Sequence, residues 1–281
     1  MLLSMANSIR HIAKHLSSRG CACILFSIAV LSFLAMNAFA ETNKVTIYFY
    51  SSESTINNFK SLKMEFDRYL SKYGPYEFQP FSDRETFEKQ IKDNKQCLLF
   101  LSSWHYKNIY KDYSLKAVLV GARNGKKYQE RILVATDETV KAGRIASASS
   151  LQHTNSCLQG MLKGKNTVAI SSILIVPKDI DALMSVGFGI SKFALTTKNS
   201  FNELKMANQT LHQQLKILAE GEKSLLLIGA VPEQFVHDAK KIVSIIQHMA
   251  TDQDGKEKLR MIELDGWQTL DPTDRLKLET K

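Results

Sequence analysis

Apolar and polar positions alternate along Val45–Tyr50, a run rich in β-branched and aromatic residues, and this predicts a strand. The alternation breaks at Ser51-Ser52-Glu53-Ser54 and resumes with a longer period. Ile56, Phe59, Leu62, Lys63, Phe66 and Leu70 fall on one face of a helix that reaches Tyr73 and stops at Gly74-Pro75. Tyr76–Phe81 reads as a second strand. Ser82-Asp83-Arg84-Glu85 has the form of a capping box, with the Ser accepting from the backbone and the Glu reaching back, so a short helix to Asp93 follows. Cys97–Leu101 is apolar at every position, as a strand buried on both faces would be, and runs directly into Ser102-Ser103-Trp104-His105-Tyr106. Strand, helix, strand, helix, strand predicts parallel pairing through right-handed crossovers, and an α/β fold class.

Leu115–Ala122 and Gln129–Thr136 are two further strands, joined through Arg123-Asn124-Gly125-Lys126, where Asn-Gly signals a turn. The alternation of strands and helices then repeats. A strand is predicted over Arg144–Ala148, a loop and helix over Ser149–Lys163 ended by Gly164, and a strand over Thr167–Val176. Pro177 opens a helix at its first turn. Lys192–Thr196 is a strand, Ser200–Gln214 a helix, and Leu215–Ala219 and Leu225–Ala230 are strands. Pro232 opens an amphipathic helix through Val236, Ile242, Ile245, Ile246 and Met249. A last helix over Lys256–Ile262 and the pair Gly266-Trp267 close the chain.

Ahead of the first strand the pattern is different. Arg10, Lys14 and Arg19 form a basic leader without acidic residues, and an apolar run from Cys21 ends in Ala38-Phe39-Ala40 before Glu41. That is the layout of a cleaved secretory signal, so residues 1–40 are expected to leave after Ala40. The run is also long enough for an uncleaved membrane anchor. The small-residue ending favours cleavage, and no Cys follows the run to suggest a lipid anchor.

The leader carries three of the 37 Lys and Arg and none of the 28 Asp and Glu, so the remainder has a formal charge of +6. The charges are interleaved rather than blocked, which does not indicate nucleic-acid binding. A diffuse positive field suits a small anionic ligand. Cys21 and Cys23 lie in the leader. Cys97 and Cys157 remain, in apolar surroundings and with no spacing motif; an exported pair could bridge, and two buried thiols are the expectation. HExxH, CxxC, GxSxG and P-loop motifs are all missing from the sequence, so no enzyme, cofactor or metal is expected.

Four stretches carry a family resemblance: Leu98-Leu99-Phe100-Leu101-Ser102-Ser103 with Tyr106; Tyr128–Ala135; Leu215–Glu220; and Val231-Pro232-Glu233 through Met249 with Asp252–Leu259 and Gly266-Trp267. In this order they resemble the type II periplasmic solute-binding proteins, and within them the phosphonate/phosphate-binding subfamily associated with transporters. The resemblance implies a two-lobe fold with a ligand cleft between lobes joined by two hinge strands. Carried onto this chain, lobe one is 41–135 and 222–281, and lobe two is 136–221. It also implies a periplasmic location, a monomer, and a membrane partner, either an ABC-transporter permease or a membrane sensor. Gly189-Ile190-Ser191-Lys192-Phe193 departs from the family's acidic Gly-x-x-Asp segment, and His153-Thr154-Asn155-Ser156 matches its Ser-Thr-Ser helix cap only loosely.

Parallel strands deliver their C-terminal ends to one edge, where α/β sheets bind ligands. Three polar turns belong there. They supply Ser52 and Ser54, Ser102 and Ser103, and Ser149 and Ser150 with Thr154 and Asn155. Hydroxyls and helix-start amides together make an oxyanion cradle. The same residue types are preferred as plain helix caps, and that reading stands beside the cradle. Tyr106 beside its turn and Tyr128 at the hinge complete the candidates; a packed aromatic residue is the alternative for each. The expected function is capture of a small oxyanion for a membrane transporter. A sensory protein of the same fold, with an altered or lost pocket, is the rival.

Overall fold

The expected alternation of strands and helices is realised in a computed structural model that describes residues 44–53, 58–163 and 168–280. Ser54 and the cleavage site after Ala40 lie outside them. The first half runs β1 (Val45–Tyr50), α1 (Phe59–Leu70), β2 (Tyr76–Pro80), α2 (Arg84–Asp93), β3 (Cys97–Leu101), α3 (Ser103–Ile109), β4 (Leu115–Ala122), β5 (Tyr128–Ala135), β6 (Ala142–Ser147) and α4 (Leu151–Leu162). The second runs β7 (Ala169–Ile175), α5 (Asp179–Gly187), β8 (Phe193–Thr197), α6 (Lys198–Ala207), α7 (Gln209–Gln214), β9 (Lys216–Leu225), β10 (Ile228–Pro232), α8 (Lys240–Gln247), α9 (Gln253–Met261), β11 (Gly266–Thr269) and α10 (Pro272–Glu279).

Two mixed sheets result. The first has the order β11-β4-β10-β3-β1-β2 and the second β7-β6-β8-β5-β9. In the first, β1 pairs in parallel with β2 and β3, while β10 runs antiparallel between β3 and β4. In the second, β6 is parallel to β7 and β8, and β5 is antiparallel to β8 and β9. The sequence boundary placed Tyr128–Ala135 with lobe one. Its strand is paired wholly within the second sheet, which therefore spans residues 128–225 instead of 136–221.

Each sheet is covered on both faces. Ile47, Phe49, Phe78 and Phe100 meet Phe66 of α1, Ile246 of α8 and Trp267 on one side; Phe66 stacks on Phe78 at 4.1 Å and Phe100 packs on Trp267 at 4.6 Å. Tyr48, Tyr50, Leu99 and Leu101 meet Phe87 and Ile91 of α2 on the other. Burial on both faces is why β3 shows no alternation. The second sheet is enclosed in the same way, by Leu183, Leu204 and Leu211 on one side and Leu158 and Met161 on the other.

Several local expectations are corrected. Asp83, not Ser82, caps α2 and accepts from Thr86 N at 2.8 Å. Pro177 stands ahead of α5, whose N-cap is Lys178, and Pro232 ends β10. The Ser200–Gln214 segment is two helices, because the Asn208 side chain caps a new start by accepting from Leu211 N at 3.0 Å. Leu215–Ala219 and Leu225 share one long strand; β9 is an edge strand, where exposed Glu220 and Lys223 cost little. Cys97 and Cys157 are free thiols, as expected, but Cys157 is only half-buried. Among the described residues no helix is long and apolar enough to cross a membrane.

Candidate functional site

Two crossovers join the sheets. In the first, Asn124 and Gly125 have φ of 52° and 69°, the paired positive values of a type I′ turn, and Arg123 and Lys126 exchange backbone hydrogen bonds at 2.9 and 3.0 Å. The second is Leu226-Leu227. It is tied to the first by Leu226 N donating to Lys127 O at 2.9 Å, and to β4 by Gly121 N donating to Leu227 O at 2.8 Å.

Beside these crossovers, the C-terminal ends of β1 and β3 come together with those of β6 and β8. The turn after β1 bridges the gap. Ser52 O accepts from Ser150 N at 2.9 Å, and Glu53 O accepts from Arg131 Nη2 at 2.9 Å and from Ser149 Oγ at 3.4 Å. The Glu53 carboxylate accepts from Gln129 Nε2, lies 3.9 Å from Arg131 Nη2, and receives the Trp104 backbone N–H. Trp104 extends the bridge, donating from Nε1 to Ser156 Oγ at 3.0 Å and meeting the His153 ring edge-on at 5.4 Å.

Arg131 is the centre of this arrangement. It opens the buried stretch of β5, and its side chain is only 5% exposed. Nη1 lies 3.4 Å from Asp179 Oδ1, while Asp179 Oδ2 accepts from Thr197 N at 3.2 Å and so ties α5 to β8. Arg131 Nε and Glu53 Oε1 are buried without hydrogen-bond partners. One buried guanidinium thus faces two carboxylates. Burial pushes the Glu53 carboxyl above the usual range, and Arg131 opposes that only in part. Burial would lower the guanidinium, but Asp179 and Glu53 keep it charged. Burial, and then repulsion from Arg131, drive His153 down to about 2. Its imidazole is therefore neutral, and the 3.8 Å approach of Nε2 to Glu53 Oε1 is not an ion pair.

A cavity of about 40 Å³ remains beside Glu53, Arg131 and Asp179, room for a few water molecules. A second, of about 240 Å³, lies toward Lys178 and Glu203. A third, of about 600 Å³, opens at the hinge and is lined by Arg123, Lys126, Lys127, Tyr128, Lys198 and Lys223 among others. Among the described residues no group of three or more His, Cys, Asp or Glu side chains could hold a metal ion.

The sequence candidates divide into three groups. Ser52, Ser102, Ser149 and Ser150 lie at the meeting of the two sheets: Ser52 Oγ and Ser102 Oγ are 2.6 Å apart, and Ser150 caps α4. Thr154 is buried beneath them on Ser147 Oγ at 2.9 Å. Three others are placed elsewhere. Ser103 Oγ donates to Leu225 O at 2.6 Å, so it anchors the hinge strand. Tyr106 is fully buried inside lobe one, its hydroxyl on Leu115 O and Glu279. Asn155 is exposed on α4. Tyr128 bonds the Asp274 carboxylate and lines the hinge cavity. Sequence reasoning passed over Gln129, Arg131, His153 and Asp179, and read Glu53 only as part of a turn. One signal was present: Arg131 is the last charge before the apolar run Ile132–Ala135.

No family model and no curated protein matches the chain. Solved structures do. The binding-protein component of an ABC phosphonate transporter from Pseudomonas aeruginosa superimposes with a TM-score of 0.59 at 12% identity, over 83% of each chain. A Xanthomonas citri protein bound to ATP gives 0.61 at 12%, over 84% of this chain and 94% of the other. PhnD1 from Prochlorococcus marinus in complex with methylphosphonate gives 0.59 at 9%, over 84% and 96%. At such identities the likeness speaks for architecture alone. With its two α/β lobes, its paired crossovers and a cleft at the carboxyl ends of the strands, the chain has the fold of the type II periplasmic binding proteins.

Proposed function

We propose that this chain is an exported solute-binding protein that captures a small oxyanion between its lobes and presents it to a membrane transporter. The observation that carries the reading is Arg131 of lobe two, a buried guanidinium that donates to the Glu53 carbonyl of lobe one and lies 3.4 Å from Asp179 of its own lobe. A clamp works only when contacts from both lobes favour the closed state over the open one. The +6 charge of residues 41–281 supports an anionic solute, as do structural neighbours that bind methylphosphonate and ATP. The reading is one of binding and not catalysis, and it is supported by the sequence, which carries no HExxH, CxxC, GxSxG or P-loop motif. Export to the periplasm rests on the basic leader and the Ala38-Phe39-Ala40 ending.

The second reading, a sensory protein of the same fold with an altered pocket, is favoured by the small volume beside Arg131. Melting curves separate the two. A ligand at a hundredfold excess over Kd stabilises by about 2.7 kcal/mol, roughly 5–10 °C for a chain of this size. Phosphate or methylphosphonate is expected to produce such a shift, and glucose or lysine none. Flat curves across the oxyanions would remove the transporter reading and leave the sensor.

A further inference from the structure

Any solute entering the cleft has to make the contacts that tie one lobe to the other. Those contacts are already made by the protein itself. Glu53 belongs to lobe one, yet Arg131, Ser149 and Gln129 of lobe two all address it. Its carbonyl accepts from Arg131 and Ser149, and its carboxylate accepts from Gln129 and lies beside Arg131. The Trp104 N–H of its own lobe points at the same carboxylate. A carboxylate surrounded by a guanidinium, a side-chain amide and a backbone N–H is bound as an oxyanion ligand is bound. About 40 Å³ is left beside it, room for a few water molecules.

We propose that Glu53 is the cleft's built-in occupant, a tethered carboxylate that bridges the lobes as a bound oxyanion would and that a solute anion must displace. The proposal rests on the reading of the cleft as an oxyanion site and adds how that site is regulated.

The occupant is poised to leave. Glu53 Oε1 is buried without a hydrogen bond, and the Arg131 pairing at 3.9 Å is loose. A buried carboxylate with one unsatisfied oxygen is held at a cost. Every charged or titratable neighbour bears on this balance. Arg131 of β5 favours the ionised form, Asp179 of α5 opposes it, and His153 and Cys157 of α4 are neutral, Cys157 being pushed up to about 11 by burial. Arg123 and Glu263 border the same cavity and are paired with each other at 2.8 Å. With one cation facing two carboxylates, a divalent oxyanion competes for Arg131 only by expelling Glu53. Displacement therefore couples solute entry to the loss of one set of bridging contacts and the gain of another.

The test compares wild-type protein with Glu53→Gln, which keeps the shape, and Glu53→Ala, which removes the group; thermal melting confirms that each folds. Small-angle scattering without added anion reads the separation of the lobes, and calorimetry with inorganic phosphate reads the competition. The expected result is a larger radius of gyration for both variants than for wild type, and phosphate binding at least tenfold tighter in Glu53→Ala, a change of about 1.4 kcal/mol. Variants as compact as wild type would overturn the proposal, and so would phosphate bound equally or more weakly by Glu53→Ala. If phosphate binds none of the three proteins, the oxyanion reading of the cleft falls. The scattering then decides the proposal alone: expanded variants sustain Glu53 as the bridge between lobes, and compact ones overturn it. Should Glu53→Ala fail to fold, Glu53→Gln carries both measurements.

Discussion

Arg131 is subject to opposed demands, since the interior disfavours its charge while Glu53 and Asp179 require it. Removing one partner of a buried ion cluster leaves uncompensated charge and costs roughly 3–5 kcal/mol. Arg131→Met is expected to lower stability by that amount in urea denaturation. Glu53→Gln should relieve part of the loss, so the double variant is less destabilised than the sum of the singles; strict additivity would show that the two groups do not interact. Two other residues set the response to acid. Burial drives His105 down to about 4, with Glu88 opposing through a 2.8 Å contact to Nε2, and His153 lies still lower. An unfolded imidazole titrates near 6.5. Between about pH 4 and 6.5 the unfolded chain binds more protons than the folded one, so stability falls as pH falls through that range. Glu53 acts in the opposite sense, because its raised pKa makes the folded protein hold its proton more tightly as pH rises above the ordinary carboxylate range. Acidification from pH 7.5 to 5 should cost about 1–2 kcal/mol for each imidazole. Urea midpoints measured against pH check this: His105→Gln and His153→Gln should each flatten the acid limb, and an unchanged slope in both would show that neither titrates on unfolding.

Among the elements, the Asn124-Gly125 turn has the most specific backbone requirement. It carries the chain from β4 of one sheet to β5 of the other, and both of its central residues have positive φ. No neighbouring atom approaches the position where a Gly125 side chain would stand, so packing does not forbid one there. Backbone conformation does: an L-residue in the left-handed region costs roughly 1–2 kcal/mol. Gly125→Ala is expected to lower the free energy of unfolding by about 1 kcal/mol and Gly125→Val by more. Equal stability in all three proteins would mean that the crossover relaxes to another turn type without cost. The strands show a parallel contrast. β3, covered on both faces, is uniformly apolar, while β7 at the sheet edge carries Ser171 and Ser172 in exposed positions.

The molecule as a whole keeps two separate cores, each a sheet enclosed on both faces, with two short crossovers and one line of side chains between them. Relative movement of the lobes therefore need not disturb either core. Across the cleft the contacts are those of Glu53 with Arg131, Ser52 with Ser150, and Trp104 with Ser156 and His153, while Tyr128 with Asp274 and Ser103 with Leu225 tie the lobes at the hinge. Concentrating the interlobe contact in so few residues lets a small ligand shift the balance between open and closed forms, since its own handful of hydrogen bonds is of comparable strength.

The sequence alone determined the α/β class, the parallel pairing among the first three strands and the bounds of β1, β3 and β4, because period and run length report directly on which residues are buried. It also located the turn between β4 and β5 through Asn-Gly, whose chemistry is local. Only the tertiary structure decided that β5 pairs in the second sheet, since an apolar strand does not encode its neighbour. Likewise, the serines of the polar turns look alike in sequence, yet Ser52 and Ser150 meet across the cleft while Ser103 turns away to Leu225, 122 residues further along the chain. The role of Glu53 is legible only in three dimensions, because its partners Gln129 and Arg131 lie 76 and 78 residues away and acquire their meaning from burial together. Local patterning fixes what each segment becomes; long-range contact fixes which polar groups are withdrawn from water together, and that sets the chemistry of the cleft.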